Sequence, residues 1–291
     1  MSRSRGSCLS RGNLLDTLDI QNHLTFYKIM NYPIPKQYDS FLEGKKKTAQ
    51  KAEIPFSRDQ KNPHMESYLH YITQQTNIYK NLPFVQEIYL CNSISFNALH
   101  NHSDIDLFMI TAPNRIRTAR FRSLIIFTGA GLKRSLRKRG GKFCLSFFIS
   151  ANHQNLYPIS LKNSDIYLAY RIQHLVLLYK DDPERATEIF KQNKRVQGIL
   201  PNYTQQQEIQ LWIQTITGRG KFKTYSETIW RSILGDLFEY LVKYLQLLLI
   251  RLKILRDPER NKNVILNDHM LKFHQDIREK VSLKYSIAIK K

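Results

Sequence analysis

Two apolar runs separated by a polar loop fix the centre of this chain. The first spans Val85 to Cys91. The second opens at Asp104-Ile105-Asp106 and continues through Leu107, Phe108, Met109 and Ile110. Short apolar runs bounded by polar clusters read as buried strands. Side chains alternate along a strand, so Asp104 and Asp106 project to one face. Two carboxylates placed side by side repel unless a cation lies between them. Oxygen ligands of this kind suit Mg²⁺, which commonly takes one or two carboxylates together with substrate phosphates. The local chemistry is that of a metal–nucleotide site.

Asn92-Ser93 follows the first run, and ten residues separate Ser93 from Asp104-Ile105-Asp106-Leu107. This arrangement resembles the signature of the nucleotidyltransferase superfamily (polymerase-beta-like fold), and within it uncharacterised bacterial nucleotidyltransferase-domain proteins. The resemblance implies a turn after the first strand that begins a helix, with Asn92, Ser93 and Ser103 at the nucleotide. It implies Asp104 and Asp106 as catalytic residues and as ligands of Mg²⁺ or Mn²⁺. Orphan N–H groups at a helix start attract phosphate, which gives such a turn a physical role. Asn92 stands where the family has glycine, and Asn tolerates the left-handed backbone a tight turn needs. The family also places a third carboxylate on its third strand. Here the chain runs through a basic helix (about 114–139) and a Gly140-Gly141 turn into Lys142–Ser150, which has no Asp or Glu. Cys144, Ser146 and Phe148 occupy the positions where that acid is expected.

The fold class expected is α+β: a small mixed-sheet nucleotidyltransferase core over residues 51–160, between two helical parts. Residues 1–50 form an N-terminal helical segment and basic linker. Residues 161–291 form a C-terminal helical domain. Residues 13–30 read as a helix ended by Pro33 and Pro35. The run from Leu24 to Asp39 resembles a degenerate winged-helix element, against the plainer reading of a helical packing cap. Residues 44–51 are a charged linker, and 64–82 a helix leading into the first strand. Ser164 caps a helix over 165–180 with apolar positions at Ile166, Ala169, Ile172, Val176 and Tyr179. Further helices start at Asp182-Pro183-Glu184 and cover about 226–256 and 264–280. The 226–256 helix is apolar on most sides, as the centre of a bundle or a homodimer seam would be.

The chain has 291 residues and a net charge of +21, from 45 basic and 24 acidic residues. So positive a field attracts polyanions, including nucleic acid, nucleotides and anionic membrane, without choosing among them. The segment 133–142 holds six basic residues in ten, and Lys133, Arg134, Arg137, Lys138 and Arg139 offer a grip on nucleic acid or triphosphate. The alternative is a solvated helix end, since basic residues favour that position. Three scattered cysteines fit reduced thiols, and no Cys-x-x-Cys occurs. No signal peptide and no membrane span is expected, so the location expected is cytoplasmic.

Other constellations carry weaker readings. His100 and His102 form a zinc-like pair or a polar loop. His274 with Asp268 and Asp276 forms a His–Asp set on the last helix or a solvated surface. Asp165 is a distant carboxylate for the metal site or a plain helix-start charge. Beside a helical dimerisation protein whose strand domain is vestigial, two functions follow. One is a metal-dependent nucleotidyltransferase that moves a nucleoside monophosphate from an NTP to a hydroxyl acceptor. The alternative is a catalytically impaired protein of that fold that binds nucleotide or nucleic acid. An acidic side chain reaching the Asp104/Asp106 face favours the first, and a Lys or Arg capping it favours the second.

Overall fold

A computed structural model describes residues 11–34, 62–135, 140–161, 165–198, 210, 212–256, 264–273 and 277–289. Its centre is one mixed sheet. The strands are β1 (Val85–Cys91), β2 (Ile105–Thr111), β3 (Phe143–Ser150), β4 (Val176–Lys180), β5 (Ile216–Thr217), β6 (Ile265–Leu266) and β7 (Met270–Lys272). They lie in the order β5-β4-β1-β2-β3-β7-β6. β1 is antiparallel to β2 and β4, while β2 and β3 run parallel. A parallel pair needs a crossover, and helix α4 (Ile116–Gly129) supplies it. Ten α-helices are found among the described residues. β2 and β3 are buried along their whole length, which explains why they read as continuous apolar runs.

Two cores form, one on each face. On the first, Ile88, Leu90, Ile105, Leu107, Phe143 and Phe148 meet helices α2 (Met65–Thr73), α3 (Thr76–Lys80) and α4. On the second, Tyr89, Phe108, Phe147 and Ile149 meet α1 (Arg11–Met30), α5 (Ile166–Gln173) and the final helix α10 (Arg278–Ile289). α1 is anchored by aromatics. Phe26 stacks on Tyr170 at 3.8 Å, and the Tyr27 hydroxyl meets His174 Nε2 at 2.9 Å.

Five expectations are corrected. The helix read over 165–180 is α5 followed by strand β4. Val176 to Lys180 leave the helix because β1 would otherwise present an unpaired edge, and tertiary pairing overrides the helical period of the apolar residues. The stretch 264–280 contains the β6–β7 hairpin, which extends the sheet beyond β3, before α10 begins. Residues 161–291 are therefore not a purely helical domain, since they supply four of the seven strands found among the described residues. The helix read over 226–256 is two: α8 (Lys221–Trp230) and α9 (Ile233–Arg256), broken at Arg231-Ser232. The two short helices α6 (Ile189–Gln192) and α7 (Lys194–Gln197) stand where one helix after Pro183 was expected. No helix among the described residues is long and apolar enough to cross a membrane.

Candidate functional site: a carboxylate pair with a thiol and two arginines

The site lies where β1 ends and β2 begins, on the second face of the sheet. Asn92 takes a left-handed backbone at φ 60°, so it performs the turn that the resemblance assigns to glycine. The chain then departs from the expected helix. Residues 92–97 form successive turns, held by Phe96 N–H to Asn92 O at 3.2 Å and Ala98 N–H to Ser93 O at 2.8 Å. Asn97 is also left-handed, at φ 54°, which stops a helix from propagating. Phe96 fastens this loop by stacking on His174 at 4.1 Å and on Tyr32 at 4.6 Å. Ser93 therefore does not sit at a helix N-terminus, and a phosphate there would find no aligned helix dipole.

Asp104 immediately precedes β2, and Asp106 is its second residue. Asp106 is buried, and its Oδ2 accepts from Asn92 Nδ2 at 2.8 Å. Its register partner on β3 is Cys144. The turn before β3 makes this alignment possible. Gly141, at φ 65°, donates its N–H to Ser103 O at 2.9 Å, and a Cβ on Gly140 would meet Asn101 O at 2.8 Å. One ligand atom each from Asp104, Asp106 and Cys144 lies within 4.8 Å of the others. It is the sole such group of three or more His, Cys, Asp or Glu among the described residues, and no third carboxylate belongs to it.

The register corrects the reading of β3. Asp106 pairs with Cys144 but Phe108 pairs with Phe147, so β3 carries one extra residue in this interval. Such a bulge reverses the side-chain alternation beyond it. Cys144 and Ser146 share the aspartate face, with Sγ and Oγ 3.2 Å apart. Phe148 packs instead with Phe143 and Leu145 on the opposite face. Cys144, rather than Ser146, occupies the place directly beside the carboxylate pair.

Two arginines complete the site. Lys133 pairs in parallel with Phe143 at the start of β3, and Arg134 N–H donates to Phe143 O at 2.9 Å. This places the Arg134 guanidinium against Asp104, in a salt bridge through Oδ2. Arg171 of α5 is buried behind the pair, with Nη2 3.8 Å from Cys91 Sγ and its guanidinium over the Phe147 ring. Burial, and then the charge of Asp104, push the Asp106 carboxyl up to about 6, against the pull of Asn92 and Arg171. Burial and the charge of Asp106 raise the Cys144 thiol well above its usual range, so it is a neutral thiol. Burial would lower Arg171, but Cys91, Tyr167 and Asp106 outweigh it and keep the guanidinium charged.

The remaining sequence candidates fall elsewhere. Ser103 spends its hydroxyl on His100, accepting from its N–H at 3.0 Å and meeting Nδ1 at 2.8 Å. Neither His100 nor His102 joins the Asp–Asp–Cys group. Asp165 caps α5, accepting from Leu168 N–H at 2.9 Å, and pairs with Arg278 at 2.9 Å, so it serves the fold. Asp268 lies in the β6–β7 turn beside Lys243 at 2.7 Å. His274, Asp276, Ser164, Arg137, Lys138 and Arg139 lie outside the described residues. Arg134 was legible as a basic residue, but not as the partner of Asp104. Arg171 and Tyr32 were missed, because only the packing of α5 and α1 brings them here. No family model matches the chain, and neither a curated protein nor a solved structure matches it.

Proposed function

We propose that this protein is a nucleotidyltransferase-like binding protein: it holds a nucleoside triphosphate with a divalent cation at Asp104 and Asp106 and does not transfer the nucleotidyl group. The observation that carries this reading is the Arg134–Asp104 salt bridge beside a third position filled by Cys144. The two carboxylates fit one hard cation shared with phosphate oxygens. The donor set beyond them does not fit two Mg²⁺ ions, because a neutral thiol stands where an oxygen ligand would be needed. A guanidinium is a good phosphate ligand. An arriving triphosphate gives Arg134 a second anion to bind, and that exchange frees Asp104 for the cation. Asn92 positions Asp106 by hydrogen bond, and the buried charge of Arg171 favours an anionic ligand.

The transferase reading has one observation on its side, the nearness of the two carboxylates, and an assay separates the two. The protein is incubated with each labelled NTP, Mg²⁺ or Mn²⁺, and cell extract as acceptor pool. NTP binding without label transfer or pyrophosphate release is expected. Transfer to any acceptor would establish the enzyme instead, and absence of NTP binding would remove both readings.

A further inference from the structure

Helix α9 presents an apolar side to solvent. One side of it faces the body. Val242, Gln246 and Ile250 are buried, and Glu239 accepts from Arg117 N–H and Thr118 N–H, both at 2.8 Å, at the start of α4. Asp236 pairs with Arg115 at 2.5 Å and Lys243 with Asp268, so the helix is fixed in place from behind.

The outward side is apolar. Leu234, Leu237, Leu241, Tyr244, Leu245, Leu248, Leu252 and Leu255 are each between 45% and 77% exposed. At 100° per residue these eight fall within one stripe running the length of the helix. Monomers rarely expose contiguous apolar patches beyond a few hundred Å². The spacing along the stripe is 3, 4, 3, 1, 3, 4, 3 residues, and it reads the same in both directions. A second copy of the helix, laid antiparallel, therefore presents the identical ladder. Leu234 meets Leu255 of the other copy, Leu237 meets Leu252, Leu241 meets Leu248, and Tyr244 meets Leu245. Steps of 3 and 4 are those of helices packing knobs into holes.

We infer that two copies of this chain associate through α9, antiparallel, about a two-fold axis passing between Tyr244 and Leu245. A two-fold interface must be self-complementary, and this stripe is. Eight such side chains at roughly 60–120 Å² each offer about 500–1,000 Å², against the ~800 Å² per partner of a standard interface. Antiparallel pairing also opposes the helix dipoles and separates the two exposed Arg251 residues, which a parallel pair would bring together on a chain of net charge +21.

The test uses the full chain in sedimentation velocity, without lipid or detergent. The wild type is expected to be a dimer, and Leu241→Glu should weaken it by roughly 100-fold, since it buries a charge in the interface. The helical signal should stay unchanged, because position 241 is exposed in the protomer. Leu241→Lys combined with Leu248→Glu should restore the dimer, since these positions face each other only in the antiparallel register. In a Cys8→Ser background, Tyr244→Cys should cross-link to itself. Leu234→Cys should not, because its two copies lie about 32 Å apart, yet it should cross-link to Leu255→Cys when the two are mixed. A wild-type monomer at tens of micromolar, self-cross-linking at position 234, or binding of a monomer to anionic vesicles through this stripe would overturn the inference.

Discussion

Two clusters in this protein gather acidic and basic side chains in its interior, and they are built on opposite plans. Beside β4, Asp181 and Glu227 are separated by the ammonium of fully buried Lys223, 3.2 Å from one and 3.9 Å from the other. Arg185 and Arg219 also reach Asp181, and Arg219 and Arg231 reach Glu227. Glu227 Oε1 further accepts from Phe84 N–H at 2.7 Å, at a residue held left-handed with φ 63°. At the start of β2, Asp104 and Asp106 approach one another directly. Arg134 holds the outer carboxylate, and Arg171 directs its Nη2 to Cys91. The first cluster interposes a cation between its acids and ties α8 to the sheet. The second leaves like charges adjacent, so it stabilises the fold little and offers a place to a cation from outside.

The largest effect that tests this contrast is on stability. Lys223→Met should cost about 3–5 kcal/mol, because it leaves two buried carboxylates without their central partner. Asp106→Asn should cost nothing in metal-free buffer and slightly raise the melting temperature, since it removes a repulsion. Urea denaturation of both variants checks the pair. Equal losses would erase the distinction between the clusters.

The pH dependence comes next. With Asp106 raised to about 6, the folded protein keeps a proton that the unfolded chain releases between about pH 4 and 6. Its contribution is thus full below pH 4 and is lost as pH rises through 6, by on the order of 1–3 kcal/mol. Buried Glu87, also raised by its desolvation, adds in the same sense. His174, pushed down to about 4 by burial, acts oppositely: its contribution is present above pH 6.5 and lost as pH falls. The difference between wild type and Asp106→Asn cancels these two. The stability of the wild type minus that of Asp106→Asn, measured by denaturation from pH 4 to 7, should fall as pH rises. A flat difference would mean that neither burial nor the charge of Asp104 raises the Asp106 carboxyl.

Smaller effects sharpen the role of the third position and of Arg134. Cys144→Asp places a third carboxylate beside Asp106, and should raise Mn²⁺ affinity by about 10-fold or more through added ligand charge. It is also the substitution best placed to produce pyrophosphate release from an NTP. Ser146→Asp, two residues beyond the register partner of Asp106, should do neither. Arg134→Met should raise the affinity for free Mn²⁺ a few-fold by releasing Asp104, while lowering that for the triphosphate and flattening its salt dependence. Calorimetric titration at two salt concentrations separates the two terms.

How much of this was legible depends on whether a signal is local. β1, β2 and β3 stand out because strands buried on both faces are unbroken apolar runs. Val176 to Lys180 read as helix because their apolar spacing continues that of α5, and only the open edge of β1 decides otherwise. The β6–β7 hairpin is too short to show a period. The bulge at Ser146-Phe147 cannot be seen without the partner strand, so Phe148 was placed on the wrong face. In the site, the pairing of Asp104 with Asp106 on one face was legible from their spacing, while Asn92 entered only through the resemblance. The helix expected at Ser93 was not decided by spacing, because Asn97 and the stacking of Phe96 are tertiary matters. Arg171 looks like any polar residue in an amphipathic helix until α5 is packed against the sheet.

The most direct test of the central claim is Mn²⁺ binding followed by electron paramagnetic resonance, with and without each NTP, in wild type and in Asp104→Asn/Asp106→Asn. The wild type should bind Mn²⁺ more tightly when an NTP is present, and pyrophosphate should not accumulate. The double variant, with an unchanged circular dichroism spectrum, should bind neither the ion nor the Mn·NTP complex. Mn·NTP affinity equal to that of the wild type in the double variant, or pyrophosphate released by the wild type, would contradict the account.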